Sequence, residues 1–310
     1  MRNLELYSPV LMPREELFCS GHRACQGCAE ALAVRMVMKA LGRNSVVAMA
    51  TGCMEIVSSP LPTTAWAVPW IHVAFENAAA VASGVEAGLK ILMKKGKLPR
   101  KKIHVAGMGG DGATVDIGLQ ALSGAFERGH NFTYFCYDNE GYMNTGNQRS
   151  GSTPLGAISG TTPILGKQQS QKDITMIMEA HGIPYVATAN ASYPLDLYEK
   201  VKKAKAIKGT KFIHVFIPCP PGWRFPFSDT IKIGELAVQT AWSVLYEIEN
   251  GVFHLTSASE SLARKGNLKP VREFIAEQGR FKNITEEQLN ELQKRVNARW
   301  QLYLKRASDS

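Results

Sequence analysis

Short apolar runs alternate along the chain with stretches of helical periodicity. Five runs have the length and composition of buried strands, at residues 45–50, 103–108, 132–137, 185–188 and 212–217. Apolar residues at helical spacing predict helices at 29–41, 76–93, 114–128, 174–181 and 194–206. Alternating strands and helices predict an α/β fold, a doubly wound and mostly parallel sheet with helices on both faces.

Two segments depart from this alternation. Residues 142–172 are rich in Gly, Ser, Thr, Asn and Gln, and they are too long for an ordinary connection. Long loops within compact domains are often functional. From 251 to 267 the pattern weakens, and no element is predicted there.

A final helix is predicted to start at Thr285, because Gln288 completes a capping box with it. Its apolar stripe consists of Leu289, Leu292, Val296, Trp300 and Tyr303. We therefore expect a main domain at 1–252 and a C-terminal helical extension at 253–310. The extension should pack on the main domain or on a partner, and we place Trp300 and Tyr303 near a partner.

Composition and charge narrow the class of protein. The chain has 310 residues, of which 45% are hydrophobic and 20% are charged, as in ordinary globular proteins. We find no run of about 18 apolar residues and no signal peptide, so we expect a cytoplasmic protein without a membrane segment. The net charge of +9 favours an acidic partner. The densest basic run, at 94–102, lacks interleaved aromatic residues, which argues against nucleic acid.

Six cysteines are present, at Cys19, Cys25, Cys28, Cys53, Cys136 and Cys219. In a reducing compartment, the Cys25-x-x-Cys28 spacing indicates metal or redox chemistry rather than a disulfide. Cys53 and Cys219 can complete a set of four thiolates, which suits either Zn²⁺ or a [4Fe–4S] cluster. Taken singly, Cys53 and Cys219 are equally typical of small buried hydrophobes.

The sequence Gly109-Gly110-Asp111-Gly112 lies between a predicted strand and a predicted helix. Glycines there let the backbone approach a phosphate group, which a helix N-terminus also favours. The Asp111 carboxylate would repel that phosphate unless a cation lay between them, so Mg²⁺ is indicated. A plain turn with an aspartate cap remains the alternative for these four residues alone.

A second polar group follows the next predicted strand. Asn139 offers a side-chain oxygen and Gly141 a backbone carbonyl, and together with Asp111 they form an all-oxygen set suited to Mg²⁺. The pairing resembles the thiamine-diphosphate motif, in which GDG is followed about 25–30 residues later by Asn.

The chain as a whole resembles the beta subunit of pyruvate:ferredoxin oxidoreductase and its relatives, the 2-oxoacid:ferredoxin oxidoreductases. The resemblance depends on GHRACQGC (21–28), ATGCMEIVSS (50–59), PWIHVAFENAAAVASG (69–84), GGDGATVDIGLQALSGAFERGHN (109–131), YDNEGYMNTGNQRSGSTPLGA (137–157) and CPPGW (219–223). It implies the thiamine-diphosphate-binding fold. The family often has glycine where this chain has Ala29 and threonine where it has Asn139, and neither change removes a ligand.

The resemblance also implies the site residues. Asp111, the Asn139 side chain and the Gly141 carbonyl match the family's Mg²⁺ ligands, and Asn144 matches its substrate-side, catalytic asparagine. The matches to the family's thiamine-diphosphate contacts are Glu30, Cys53, Gly110, Asp111, Gly112, Ala113, Asn139, Glu140, Gly141, Tyr142, Met143 and Asn144. The matches to the ligands of one [4Fe–4S] cluster are Cys25, Cys28, Cys53 and Cys219.

The implied activity is coenzyme A-dependent oxidative decarboxylation of a 2-oxoacid, with electrons passing to ferredoxin. The implied partners are an alpha subunit that supplies the activating glutamate, a ferredoxin-like delta subunit and a gamma subunit, or fused equivalents. Pyruvate is the favoured substrate, with 2-oxoisovalerate, oxalate, 2-oxoglutarate and indolepyruvate as alternatives. A remote alternative is a Zn-binding structural or nucleic-acid-binding protein.

Overall fold

The computed structural model describes residues 12–60 and 63–309. The N-terminal residues 1–11, where we expect no signal peptide, lie outside the described residues. Within the described chain, no helix combines the length and apolarity needed to cross a bilayer.

In the described part of the chain, eight strands form one sheet in the order β2-β1-β3-β4-β6-β5-β7-β8. The strands are β1 (Ser45–Ala50), β2 (Trp70–Val73), β3 (His104–Gly110), β4 (Phe132–Asp138), β5 (Tyr185–Asn190), β6 (Lys211–Phe216), β7 (Tyr246–Glu249) and β8 (Val252–Leu255). The first six in the order pair in parallel, and β7 and β8 add antiparallel pairs at one edge. The predicted α/β fold with a mostly parallel sheet is confirmed.

Helices cover both faces of this sheet. They are α1 (Ala29–Leu41), α2 (Cys53–Ser58), α3 (Ala78–Lys94), α4 (Leu119–Glu127), α5 (Ile174–Glu179), α6 (Pro194–Ala206), α7 (Pro220–Trp223), α8 (Thr230–Gln239), α9 (Ser257–Lys265), α10 (Val271–Ala276) and α11 (Glu286–Ser308). Successive side chains of a strand point to opposite faces. In β4, Phe135 and Tyr137 therefore pack with α1 and α6, whereas Tyr134 and Cys136 pack with α3 and α4 on the other face.

The helix predicted over residues 114–128 is interrupted. Residues Gly112–Ile117 form a π-helix, and α4 starts only at Leu119. The wider π turn brings the Ala113 carbonyl oxygen against Gly118, where an added β-carbon would lie 2.1 Å from that oxygen. The prediction was wrong here because π turns carry no distinctive periodicity, and they are frequent at functional sites.

The strands β2, β7 and β8 were not predicted, nor were the helices α2, α7, α8, α9 and α10. Strand β2 has four residues, and its side chains at Ile71 and His72 are exposed, so it lacks the apolar run that marked the central strands. Strand β8 spans the boundary expected between 252 and 253 and pairs with β7. The division into a main domain and an extension stays a prediction.

Helix α11 packs on its own chain. The predicted capping box of Thr285 and Gln288 is present, and the five residues of the predicted stripe are all buried. The Tyr303 ring centroid lies 5.0 Å from that of Tyr246 and 5.4 Å from that of Phe253. Trp300 and Tyr303 therefore do not form the partner surface expected for them, because the strands β7 and β8 already cover their face.

Replacing Trp300 with alanine should lower the free energy of unfolding by about 3–5 kcal/mol, because it leaves a large cavity under α11. Gln301→Ala, one residue later on the exposed face, should change it by less than about 0.5 kcal/mol. Chemical denaturation of the two variants measures the difference. Equal stability would mean that α11 is not anchored by this stripe.

Candidate functional site

The candidate residues follow the carboxyl ends of four adjacent strands. Cys53 comes after β1, Asp111 after β3, Asn139 after β4 and Cys219 after β6, and the sheet order β1-β3-β4-β6 makes these ends neighbours. The chain runs outward from β1 to β2 and then returns to β3 on the other side of β1. Ligands of doubly wound sheets bind at such a reversal of strand order.

Glycine at position 112 lets the loop after β3 pack against the loop after β4. A β-carbon on Gly112 would lie 2.4 Å from the Tyr142 ring, so a larger residue does not fit. The Tyr142 hydroxyl donates to Asp116 Oδ2 at 3.0 Å, which fixes the ring in this position. The two predicted halves of the motif are thus held face to face.

Three oxygen atoms converge between these loops. The Asn139 side-chain oxygen lies 2.8 Å from the Gly141 carbonyl oxygen and 3.2 Å from Asp111 Oδ1. Octahedral Mg²⁺, with ligands at 2.0–2.1 Å, sets neighbouring ligand oxygens about 2.9 Å apart. Rotating the Asn139 amide would convert the same contacts into two hydrogen bonds. The three predicted ligands therefore fit Mg²⁺ and can satisfy one another without it.

The Asp111 carboxyl group is buried, with 1% of its residue surface exposed. Burial raises its pKa well above the ordinary range of an aspartate, and the neighbouring Asp138 carboxylate raises it further. The Ser150 hydroxyl donates to Asp111 Oδ2 at 2.5 Å and partly opposes this effect. A cation between the three oxygens would compensate the buried charge and favour the ionised carboxylate.

A cavity of about 220 Å³ opens beside the three oxygens. It is lined by eleven of the twelve residues matched to thiamine-diphosphate contacts, namely Glu30, Cys53, Gly110, Asp111, Gly112, Ala113, Asn139, Gly141, Tyr142, Met143 and Asn144. Thr51, Gly52, Phe75 and Thr145 also line it and were not singled out. Thr51 and Gly52 directly precede Cys53, and Thr145 directly follows Asn144, so proximity in sequence was the available signal for those three.

Glu30 lies in the first turn of α1 and is 5% exposed. Burial raises its pKa to about 8, so its carboxyl group is mostly protonated at neutral pH. A carboxyl group that titrates near the working pH can hold or release a proton at the cavity wall. Asn144 also lines the cavity and is exposed.

The structure places Glu140 differently from the other matched residues. Its side chain does not line the cavity and instead lies 2.6 Å from Arg280. Trp242 Nε1 and Gln171 Nε2 donate to its Oε1 at 3.2 Å and 3.1 Å. Its backbone has a φ of 62°, an unusual value for a residue with a β-carbon. Glu140 therefore anchors the loop after β4 through contacts outside the cavity.

Cys25, Cys28, Cys53 and Cys219 lie near one another. The thiol of Cys53 is close enough to interact electrostatically with those of Cys25, Cys28 and Cys219. The thiol of Cys219 interacts in the same way with Cys25 and Cys28. Cys28 precedes α1, Cys53 opens α2 and Cys219 precedes α7. No three His, Cys, Asp or Glu side chains within 12–60 and 63–309 are grouped to hold a single metal ion.

Burial is the main influence on the pKa of three of these thiols, those of Cys28, Cys53 and Cys219. It raises the pKa of Cys28 to about 11 and that of Cys219 to about 12, and it raises the pKa of Cys53 further. Backbone N–H groups of Ala31 and Glu30 oppose the effect at Cys28, as the N–H of Gly222 does at Cys219. Hydrogen bonds from backbone N–H groups to sulfur are also what tunes an iron–sulfur cluster.

Gly27 shapes the loop between the first two cysteines. It has a φ of +67°, and a β-carbon there would lie 2.3 Å from the Phe227 carbonyl oxygen. The Gly27 carbonyl in turn accepts a hydrogen bond from the Thr230 hydroxyl at 2.8 Å. The loop with Cys25 and Cys28 is therefore attached to the segment that follows Cys219.

The other two cysteines have separate environments. Cys136 is fully buried in β4, as expected for a packed thiol. The Cys19 thiol contacts the Glu16 carbonyl oxygen at 3.5 Å, and its backbone N–H donates to the Ala65 carbonyl at 2.7 Å.

Comparison with known proteins places this site in a class. Residues 50–215 match the family described as thiamine pyrophosphate enzyme, C-terminal TPP binding domain. A solved structure of 2-oxoglutarate:ferredoxin oxidoreductase from Magnetococcus marinus shares the fold, with a TM-score of 0.54 and 23% identity over 76% of this chain and 82% of that chain. The chain therefore belongs to the thiamine pyrophosphate enzymes that have this C-terminal binding domain.

Curated relatives identify the family more narrowly. The chain is 52% identical to pyruvate synthase subunit PorB of Methanocaldococcus jannaschii, over 94% of this chain and 97% of the relative. It is 47% identical to ketoisovalerate oxidoreductase subunit VorB of Pyrococcus horikoshii, over 96% and 95%. The chain belongs to the family of PorB and VorB subunits of 2-oxoacid:ferredoxin oxidoreductases.

Proposed function

We propose that this chain binds thiamine diphosphate through Mg²⁺ and carries one [4Fe–4S] cluster, as the beta subunit of a cytoplasmic pyruvate:ferredoxin oxidoreductase. The observation that carries the proposal is the meeting of three oxygens, from Asp111, Asn139 and Gly141, at a cavity that Cys53 also lines. A metal-bound diphosphate and a cluster can thus be held side by side.

Asp111, Asn139 and Gly141 would hold Mg²⁺, and the glycines at 110 and 112 leave room for the diphosphate. Thiamine diphosphate, when bound, supplies the electron sink for decarboxylation of a 2-oxoacid. Ser150 holds the outer carboxylate oxygen of Asp111, which leaves the inner oxygen for the metal. A hydrogen bond to the carboxylate oxygen that does not bind the metal orients the carboxylate as a ligand.

Glu30 and Asn144 also line the cavity and would act on the cofactor and the substrate. The raised pKa of Glu30 lets it keep or release a proton close to neutral pH. Asn144 offers an amide N–H to a substrate oxygen at the open side of the cavity. Phe75 and Tyr142, whose ring centroids lie 5.8 Å apart, exclude water from the wall between them.

Cys25, Cys28, Cys53 and Cys219 would ligate the cluster. Cys28 and Cys219 precede helices, and backbone N–H groups point toward their sulfur atoms, which suits an anionic cluster. Cys53 lines the cofactor cavity as well, so electrons have a short route from cofactor to cluster. A Zn²⁺ site in a structural protein is the remote alternative, and colour distinguishes the two, because an iron–sulfur protein is brown.

Similarity to PorB favours pyruvate as the substrate over 2-oxoisovalerate, the substrate class in the name of the VorB relatives. Oxalate, 2-oxoglutarate and indolepyruvate are the further alternatives. We propose alpha, gamma and ferredoxin-like delta subunits as partners, with coenzyme A and ferredoxin as co-substrates. The alpha subunit would supply the groups that contact the aminopyrimidine end of the cofactor.

Asp111→Asn should abolish Mg²⁺-dependent binding of thiamine diphosphate without unfolding the protein, because it removes the anionic ligand and relieves a buried charge. Calorimetric titration of the assembled complex measures the affinity. Asp196→Asn is the matched control, because Asp196 is also buried but pairs with Lys200 at 2.6 Å, at a different part of the fold. It should lower stability and leave cofactor affinity unchanged. Unchanged affinity in Asp111→Asn would refute the Mg²⁺ assignment.

Cys219→Ala should lose the cluster, as should alanine variants of Cys25, Cys28 and Cys53. Cys19→Ala and Cys136→Ala should keep full iron content, because Cys19 bonds locally and Cys136 is packed in β4. Iron analysis and the EPR signal of the reduced protein compare the six variants. A complete cluster in Cys219→Ala, or its loss in Cys19→Ala, would contradict the ligand set.

The complete complex should reduce ferredoxin with pyruvate and coenzyme A faster than with any of the other four 2-oxoacids. The isolated chain, with reconstituted cluster and added thiamine diphosphate, should show no turnover, because half of the polar groups of a buried cofactor would lack partners. A substrate panel with both samples tests this. Full turnover by the isolated chain would show that the catalytic groups are all present in it.

A further inference from the structure

Arg280 is a buried cation in the segment that follows α10. It lies in a single turn of 3₁₀ helix, Gly279–Phe281, and is 2% exposed. Its guanidinium carbon lies 3.8 Å from the centroid of the Trp223 ring, and its Nη2 lies 2.6 Å from Glu140 Oε2. Its Nε donates to Gln278 Oε1 at 2.9 Å.

The two main contacts of Arg280 belong to different sites. Trp223 follows Cys219 by four residues, and its indole N–H donates to the Asn139 carbonyl oxygen at 2.8 Å. Glu140 lies between the candidate Mg²⁺ ligands Asn139 and Gly141. The charge of Arg280 also faces Cys219 and Asp138. One side chain therefore touches the turn with the fourth cysteine and the loop with the metal ligands.

Stability alone does not account for this arrangement. Nη2 meets Glu140 Oε2 as a close ion pair, and Nη1 has no hydrogen-bond partner among the described residues. A buried ion pair with unsatisfied donors is often no more stable than apolar residues of the same volume. Unsatisfied buried groups of this kind need an explanation, such as a role at a functional site.

We propose that Arg280 and Glu140 form a positioning pair that couples the cluster site to the Mg²⁺ and diphosphate site; this rests on the proposed function. Glu140 holds the metal-binding loop in its left-handed conformation through its carboxylate. Arg280 holds that carboxylate and, by stacking on Trp223, fixes the turn after Cys219.

The pair also has an electrostatic consequence for a cluster. Reduction adds a negative charge to the cluster, and a nearby buried cation stabilises that charge. The positive charge of Arg280 acts on Cys219, and Glu140 pairs with the guanidinium and offsets that charge. Removing the cation should therefore lower the reduction potential, and removing the anion while Arg280 remains should raise it.

The test compares Arg280→Met and Glu140→Gln with a control, Arg272→Met. Arg272 lies in neighbouring α10 and pairs at the surface with Glu286, so its variant removes the same charge from an exposed place. The cluster potential is measured by EPR-monitored redox titration of the full chain. Mg²⁺-dependent affinity for thiamine diphosphate is measured by calorimetry of the assembled complex.

Arg280→Met should shift the potential to a more negative value and Glu140→Gln to a more positive one. Both should weaken cofactor affinity about 10- to 100-fold, as loss of a supporting partner of a metal ligand does. Arg272→Met should match the wild type in both measurements. Potential shifts of the same sign, or wild-type cofactor affinity in Arg280→Met, would overturn the proposal, because a merely structural residue predicts no opposite signs.

Arg280→Lys decides the question if Arg280→Met does not fold. Lysine keeps the charge but lacks the planar group that stacks on Trp223, so cofactor affinity should fall while the potential stays near that of the wild type. Wild-type affinity in Arg280→Lys would refute the coupling. A wild-type chain that binds neither cluster nor cofactor would instead refute the proposed function.

Discussion

The buried carboxylate of Asp111 is the constraint on which the rest of the site depends. An ionised carboxylate with 1% exposure needs a partner of opposite sign, yet the neighbouring charges that act on it, Asp138 and Glu140, are also carboxylates. The oxygens of Asn139 and Gly141 add no positive charge. The fold therefore makes a place where a divalent cation is favourable, and a diphosphate then becomes favourable because the cation lies between it and Asp111.

The sheet order decides which loops meet at this place. Adjacent strands lie about 4.8 Å apart, so the loops that follow neighbouring strands are in contact. The loops after β1 and β6, which are three strands apart, come together only if one of them bends over the edge of the sheet. The turn after β6 bends in this way, because Gly222 packs tightly against Met143 and the Trp223 indole bonds to the Asn139 carbonyl. Cys219 is thereby brought toward Cys53, although the loops with the candidate Mg²⁺ ligands lie between their strands.

Sequence predicted what is local and missed what depends on distant contacts. The central strands are buried on both faces, so continuous apolar runs predicted them. The motif around Asp111 and Asn139 was also predictable, because it combines glycines with candidate oxygen ligands at strand ends. Strand β2 is an exposed edge without that pattern. The sequence does not predict the burial of Arg280, because a single arginine in an irregular segment is usually solvent-exposed. Only the fold shows that it stacks on Trp223.

The fold has two opposed effects on the pKa of the Cys28 and Cys219 thiols. Backbone N–H groups at Cys28 and Cys219 favour a thiolate, but burial outweighs them and raises the pKa of both groups to about 11 and about 12. Without metal the thiols of Cys28 and Cys219 are therefore neutral, so their charges do not repel each other in the folded chain. The proposed cluster would have to displace these protons on binding, so its affinity should rise with pH. The backbone N–H groups that oppose the effect of burial at Cys28 and Cys219 would remain available to the sulfur atoms once the protons leave.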